Sequence, residues 1–216
     1  VSGTRARPRR PAARRRAPKR YDRDYFDRWY RRSRLGLGRV EFVRRKVALA
    51  VAAAEYVLQR PLRSVLDVGC GEAPWRAPLR RLRPGVRYLG VDSSEYVVRR
   101  FGKRRNIRRG SLRELDRMRL GGPFDLVVCS DVLHYVATAD VRRGLRALKR
   151  TTRGILFIEA FTAGDDLEGD DHEFQRRSLR TYRRLFRRAG LIPLGLHLYL
   201  PWERGVRLVE LELTTP

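Results

Sequence analysis

The sequence predicts an α/β protein: a doubly wound, mostly parallel sheet of seven strands whose last strand is antiparallel. Three observations carry this. Five short apolar or β-branched runs alternate with helix-period stretches, the signature of βαβ units. Several of those runs are apolar on both faces, as a sheet covered by helices on both sides requires. After a final amphipathic helix come two more extended runs separated by the four residues Pro201 to Arg204, a hairpin that forces one strand to run against the others.

In chain order, residues 1–20 carry nine positive charges and no acid, interleaved with Pro8, Pro11 and Pro18, and read as a disordered Arg-rich arm. Residues 21–60 read as a helical lid. Within it Tyr21–Tyr30 is aromatic-rich, with Tyr25 and Trp29, and likewise Phe26 and Tyr30, at helical spacing, and Arg39–Gln59 is a helix that ends before Pro61. Residues 61–216 form the main domain. Its expected strands are Ser64–Gly69, Arg87–Asp92, Ile107–Leu112, Phe124–Asp131 and Gly154–Phe161, with helices at Trp75–Leu82, Glu95–Phe101 and Val141–Lys149. Ser178–Ala189 is an amphipathic helix stopped at Gly190, and Leu191–Leu200 and Gly205–Leu213 are the two arms of the expected hairpin.

With 216 residues, of which 42% are hydrophobic, the chain has the means for one core and is tight for two. The net charge of +26 suggests nucleic acid or an anionic surface, but only four of the fifty basic residues are lysine, which points to a chain-wide preference for arginine rather than to a built site. No segment approaches the ~18 apolar residues of a membrane span. The arm runs into Tyr21-Asp22-Arg23-Asp24 rather than into an apolar stretch, so a soluble cytoplasmic protein is expected. The two cysteines, Cys70 and Cys129, lie in apolar runs, too few for a disulfide framework and at no metal-ligand spacing.

The most informative stretch is Val65-Leu66-Asp67-Val68-Gly69-Cys70-Gly71-Glu72, a buried strand leading into two glycines and a helix. Ligands of open α/β sheets bind at the carboxyl ends of the strands, where glycine lets backbone approach a nucleotide-like group. A dinucleotide is disfavoured. Pro74 stands where close helix–strand packing needs Gly or Ala, and Glu72 and Asp67 put negative charge where a pyrophosphate would lie. Acids on both sides of the loop suit a ligand that is cationic there. The second strand ends in Leu89-Gly90-Val91-Asp92-Ser93-Ser94, and Asp92 is placed to accept both hydroxyls of a ribose.

These two motifs, followed by Phe124-Asp-Leu-Val-Val-Cys-Ser-Asp-Val-Leu-His-Tyr-Val, resemble the successive motifs of the class I S-adenosylmethionine-dependent methyltransferases over roughly residues 40 to 213. The resemblance implies a Rossmann-like fold with an antiparallel seventh strand, and S-adenosylmethionine as cofactor. It implies that Asp67, Gly69, Cys70 and Gly71 border the methionine moiety, that Asp92 holds the ribose, and that Ser93 lies beside the adenine. Ser111 and Leu112 would flank the adenine, with Ser111 standing where relatives often carry Asp, and Cys129 and Ser130 would face the amino-acid end of the cofactor.

Methyl transfer from a sulfonium needs alignment and exclusion of water, and a base only where the acceptor arrives protonated. His134 is the candidate base or substrate contact, and Tyr25 or Tyr30 the candidate lid residue, well suited to a cation–π contact with a sulfonium. The acids between Asp165 and Glu173 read as a solvated loop paired to basic residues, without metal-ligand spacing. A methyl group passed to an O or N atom of a small molecule is the leading expectation. A methyltransferase that grips RNA or DNA through the Arg-rich arm is a second, disfavoured for base amines because Ser130-Asp131-Val132-Leu133 replaces an Asn-Pro-Pro-Tyr motif. A non-catalytic cofactor-binding or scaffold protein is the third.

Overall fold

The computed structural model describes residues 19–32, 40–166 and 170–207. It opens with α1 (Arg23–Phe26) and a wider π-type turn (Asp27–Arg32), followed by α2 (Val40–Leu58). Then come β1 (Ser64–Val68), α3 (Arg76–Leu82), β2 (Arg87–Asp92), α4 (Glu95–Arg105), β3 (Ile107–Arg109) and β4 (Phe124–Ser130). A 3-10 turn (Leu133–Tyr135) leads into α5 (Thr138–Arg150), β5 (Thr152–Glu159), α6 (Leu179–Ala189), β6 (Leu191–Gly195), β7 (Leu198–Pro201) and a closing 3-10 helix (Trp202–Arg207). The seven strands form one sheet in the order β3-β2-β1-β4-β5-β7-β6, with β7 antiparallel to both neighbours.

Alternation along the buried strands builds two cores. Val65, Leu126, Val128, Ile155 and Phe157 meet α2 and α3, whereas Leu66, Val68, Val127, Cys129 and Leu156 meet α5 and α6. Both faces are therefore covered, which is why β1 is buried along its whole length. Helix α2 is a layer of this core, its Val47, Ala50 and Ala54 being fully buried. Among the described residues of 21–60, the 21–32 segment lies over the strand tips, with Phe26 packed into the first core. The caps are those the sequence encodes: Ser94 and Ser178 accept the amide protons of Val97 and Thr181, and Gly190 ends α6 at φ +72°.

Four expectations need correction. The third strand ends at Arg109 rather than Leu112, because Gly110 passes against Met118 and Ser111 opens a turn closed by the Glu114 amide. The fifth strand runs from Thr152 to Glu159 rather than from Gly154 to Phe161. The hairpin lies within the run expected to be one of its arms, extended by Pro201: Leu196 and His197 turn the chain, with Gly195 pairing Leu198. Both turn residues have positive φ, +49° and +67°, the conformation of tight hairpins but without the Asn-Gly that announces it. Of the expected second arm, residues 205–207 belong to the closing 3-10 helix, and 208–213 lie outside the described residues, as does the arm up to residue 18. Lys19 and Arg20, assigned to the disordered arm, are placed, and Lys19 is packed against the fold.

Candidate active site

The carboxyl ends of β1, β2, β4 and β5 converge at one edge of the sheet, and the expected cofactor residues collect there. Gly69 and Gly71 both take left-handed conformations, φ +71° and +50°. A Cβ on Gly69 would stand 2.2 Å from Val132 Cγ2, and one on Gly71 would stand 2.5 Å from the Tyr30 hydroxyl, so the loop has room for glycine only. Asp92 stitches this loop to the second: its Oδ2 accepts the Gly71 amide at 2.7 Å and its Oδ1 the Ser94 amide at 2.8 Å. Each oxygen keeps a further lone pair for a diol. Ser93 beside it is exposed.

Asp67 is buried beneath the loop, accepting the Tyr88 hydroxyl at 2.7 Å. Burial pushes its carboxyl up to about 7, the Tyr88 hydrogen bond opposing and Asp92 adding to the shift. Asp131, just beyond β4 in a left-handed conformation at φ +67°, is pushed up to about 6 by burial and by Glu159, against the pull of Lys46 and Lys19. A cation bound between these acids would stabilise their ionised forms. Affinity for a cationic ligand is therefore expected to rise as pH climbs from about 5.5 to about 7.5, with protons released on binding, since both carboxyls are partly protonated in the free protein. Titration calorimetry in two buffers of different ionisation enthalpy checks both effects.

The other expected residues fall into two groups. Ser130 is at the site, donating its hydroxyl to Glu159 Oε2 at 2.5 Å. Cys70 lies under the glycine loop and Cys129 points into the second core, both buried, with burial pushing both thiols up. Any part Cys129 plays at the site is through its backbone. Ser111 turns its hydroxyl to Glu114, 2.8 Å away, and Leu112 packs against Gly144 of α5.

His134 does not fit the expected base. It is fully buried among Tyr135, Phe161 and Phe174. Its Nδ1 accepts the Phe161 amide at 3.4 Å, which leaves the proton on Nε2, itself without a hydrogen-bond partner and 3.4 Å from Asp131 Oδ1. Burial, reinforced by Lys19, holds it down to about 4, and its lone pair is engaged by backbone.

The N-terminal segment covers the glycine loop. The Tyr21 carbonyl accepts the Ser94 hydroxyl at 2.5 Å, Arg31 pairs with Glu72 at 2.6 Å, and Phe26 stacks on Tyr96. Tyr30 is sunk over Gly71, its hydroxyl raised well above the ordinary tyrosine value by burial and then by the field of Asp92 and Asp131. Tyr25 stands farther out, edge-on to Tyr21 and Phe26.

Several residues of this edge have no motif in the sequence. Lys46 of α2 holds both oxygens of Glu159, at 2.7 and 2.6 Å, and His197 approaches the same carboxylate at 3.9 Å. Burial alone would raise Glu159, but Lys46 and Ser130 outweigh it and keep it ionised. Arg177 is buried and donates to Leu133 O and Thr138 Oγ1 at 2.9 Å each, to Tyr182 Oη at 3.3 Å and to Val136 O, fastening the loop that carries His134 and Tyr135. The available signals were an acid closing a strand and the rarity of lysine.

Comparison with known proteins agrees with this geometry. No curated protein matches in sequence. Among solved structures, the magnesium protoporphyrin IX methyltransferase ChlM of Synechocystis PCC 6803 with bound S-adenosylhomocysteine superposes with a TM-score of 0.57 at 20% identity, over 78% of this chain and 83% of that one. DesVI of Streptomyces venezuelae superposes with a TM-score of 0.58 at 17% identity, over 82% and 97% of the two chains. A second ChlM structure holds S-adenosylmethionine and aligns at a TM-score of 0.54 and 20% identity, over 78% and 79% of the chains. At such identities these likenesses speak for the fold, whereas the profile of a methyltransferase domain matches residues 38–194 of the sequence itself. The chain belongs to the methyltransferase domain family.

Proposed function

We propose that this methyltransferase moves a methyl group from S-adenosylmethionine to an O or N atom of a small molecule. The observation that carries the reading is Asp92: a buried carboxylate at the tip of β2 that braces the Gly71 amide while keeping lone pairs for a ribose diol. The S-adenosylmethionine and S-adenosylhomocysteine held in the ChlM structures support the same cofactor here. When bound, it supplies an electrophilic methyl on a sulfonium.

The chain's own residues perform the rest. Asp92 holds the ribose, Gly69 and Gly71 let backbone approach the methionine portion, and Asp67 and Asp131 offset its positive charge. Tyr30, with the segment Lys19–Arg32, closes over the loop and excludes water, as an in-line displacement requires. His134 acts as a positioning residue that sets Asp131 and the backbone at Phe161. Titration of the full chain with S-adenosylmethionine and its demethylated product should give micromolar affinity for both. No heat with either ligand overturns the reading.

A further inference from the structure

Lys19 is an unusual side chain for the place it occupies. Its ammonium stands 3.4 Å from the ring centroid of Tyr135, 5.2 Å from that of Tyr21 and 5.4 Å from that of Tyr25. Asp170 Oδ2 lies 2.7 Å away and the His172 carbonyl 3.3 Å, and the side chain is 2% exposed. Three electron-rich faces closed by a carboxylate are the means by which proteins bind organic ammonium groups. Here the occupant belongs to the same chain.

Three features mark this cage as a ligand subsite rather than a packing detail. Its walls come from the loop after β4 (Tyr135), the loop after β5 (Asp170) and the segment over the glycine loop (Tyr21, Tyr25), at the edge of the sheet where α/β proteins bind ligands. The walls also hold one another without Lys19: Tyr135 donates its hydroxyl to the Asp170 carbonyl at 2.8 Å, and Tyr21 and Tyr25 pack edge to face at 5.0 Å. Finally, among fifty basic residues of which forty-six are arginine, this position carries a primary ammonium rather than a guanidinium. Burial draws the ammonium below its usual range despite Asp170, so the place is one where an amine sheds its proton more readily than in water.

We infer that the Tyr21–Tyr25–Tyr135 cage, closed by Asp170, is an alkylammonium subsite, and that Lys19 fills it as a stand-in for the amino group of the acceptor. The acceptor class is then an aliphatic amine, and the Lys19 side chain competes with it. That the ligand of this subsite is the methyl acceptor rests on the function proposed above.

The test uses tetramethylammonium chloride as probe and tert-butanol as an uncharged control of similar size, titrated into the full chain at constant ionic strength. Lys19→Ala should bind tetramethylammonium at least about tenfold more tightly than wild type and tert-butanol. Lys19→Met, which refills the cage, should bind as weakly as wild type, and Tyr135→Leu added to Lys19→Ala should remove the gain. In unsubstituted protein, acylation of Lys19 should be slower than that of exposed Lys103 and should accelerate as tetramethylammonium is added. Equal affinity of wild type and Lys19→Ala, equal affinity for tert-butanol, or labelling of Lys19 as fast as Lys103 overturns the inference. S-adenosylmethionine is titrated into the same proteins: retained cofactor binding without an ammonium gain removes the cage alone, whereas absent cofactor binding removes the methyltransferase reading whatever the ammonium result.

Discussion

An Asp92→Ala variant is expected to bind S-adenosylmethionine at least about 100-fold more weakly than wild type. Two charge-assisted hydrogen bonds to a ribose diol contribute about 1.5–3 kcal/mol each, and ~1.4 kcal/mol is tenfold in affinity. The same substitution also releases the amides of Gly71 and Ser94, so the glycine loop loses the brace that holds its left-handed turn against β2. Asp92→Asn separates the two contributions. It keeps one acceptor oxygen and the shape of the loop, and should lie between wild type and Asp92→Ala in a calorimetric titration. Unchanged affinity in Asp92→Ala would remove Asp92 from the site.

Arg177→Met is expected to have the largest effect on the fold. The guanidinium is buried and donates to neutral acceptors: two main-chain carbonyls, a threonine hydroxyl and a tyrosine hydroxyl. Methionine roughly fills the volume but takes from the Val136 carbonyl its Arg177 donor in the interior, at about 1–3 kcal/mol, and removes one of the two donors of the Leu133 carbonyl, the Val136 amide remaining, together with the bonds to the Thr138 and Tyr182 hydroxyls. A loss of about 3 kcal/mol corresponds to a melting temperature lower by roughly 6–12 °C for a chain of this size. Because those carbonyls belong to the loop bearing His134 and Tyr135, methyl transfer should fall further than cofactor affinity. A thermal melt within a degree of wild type would show that the loop holds itself.

The parts of the molecule that the sequence made legible are those with a local signature. Strands apolar on both faces announced a sheet buried between helix layers, and two glycines after β1 followed by an acid at the tip of β2 announced the nucleotide edge, because strand tip and turn are dictated by neighbours in the chain. The Leu196–His197 turn was hidden because non-glycine residues carry its positive φ angles and Pro193 interrupts the pattern of its first strand. Lys46 with Glu159 and Lys19 with Asp170 were hidden for another reason: each pair joins residues more than a hundred positions apart, and nothing in either neighbourhood marks the partner. His134 was misread because its spacing from Asp131 was visible and its burial under three rings was not.

The segment from Lys19 to Arg32 is tied at one end by Lys19 to Asp170 and at the other by Arg31 to Glu72, with Tyr30 seated between them. A ligand that enters beneath it waits for both ties to open, so the measured affinity is the intrinsic one reduced by the fraction of molecules already open. Spent cofactor leaves through the same door. Turnover is then expected to take its tempo from unlatching rather than from chemistry, and added salt, which weakens the exposed Arg31 latch, is expected to speed cofactor exchange without helping the methyl step.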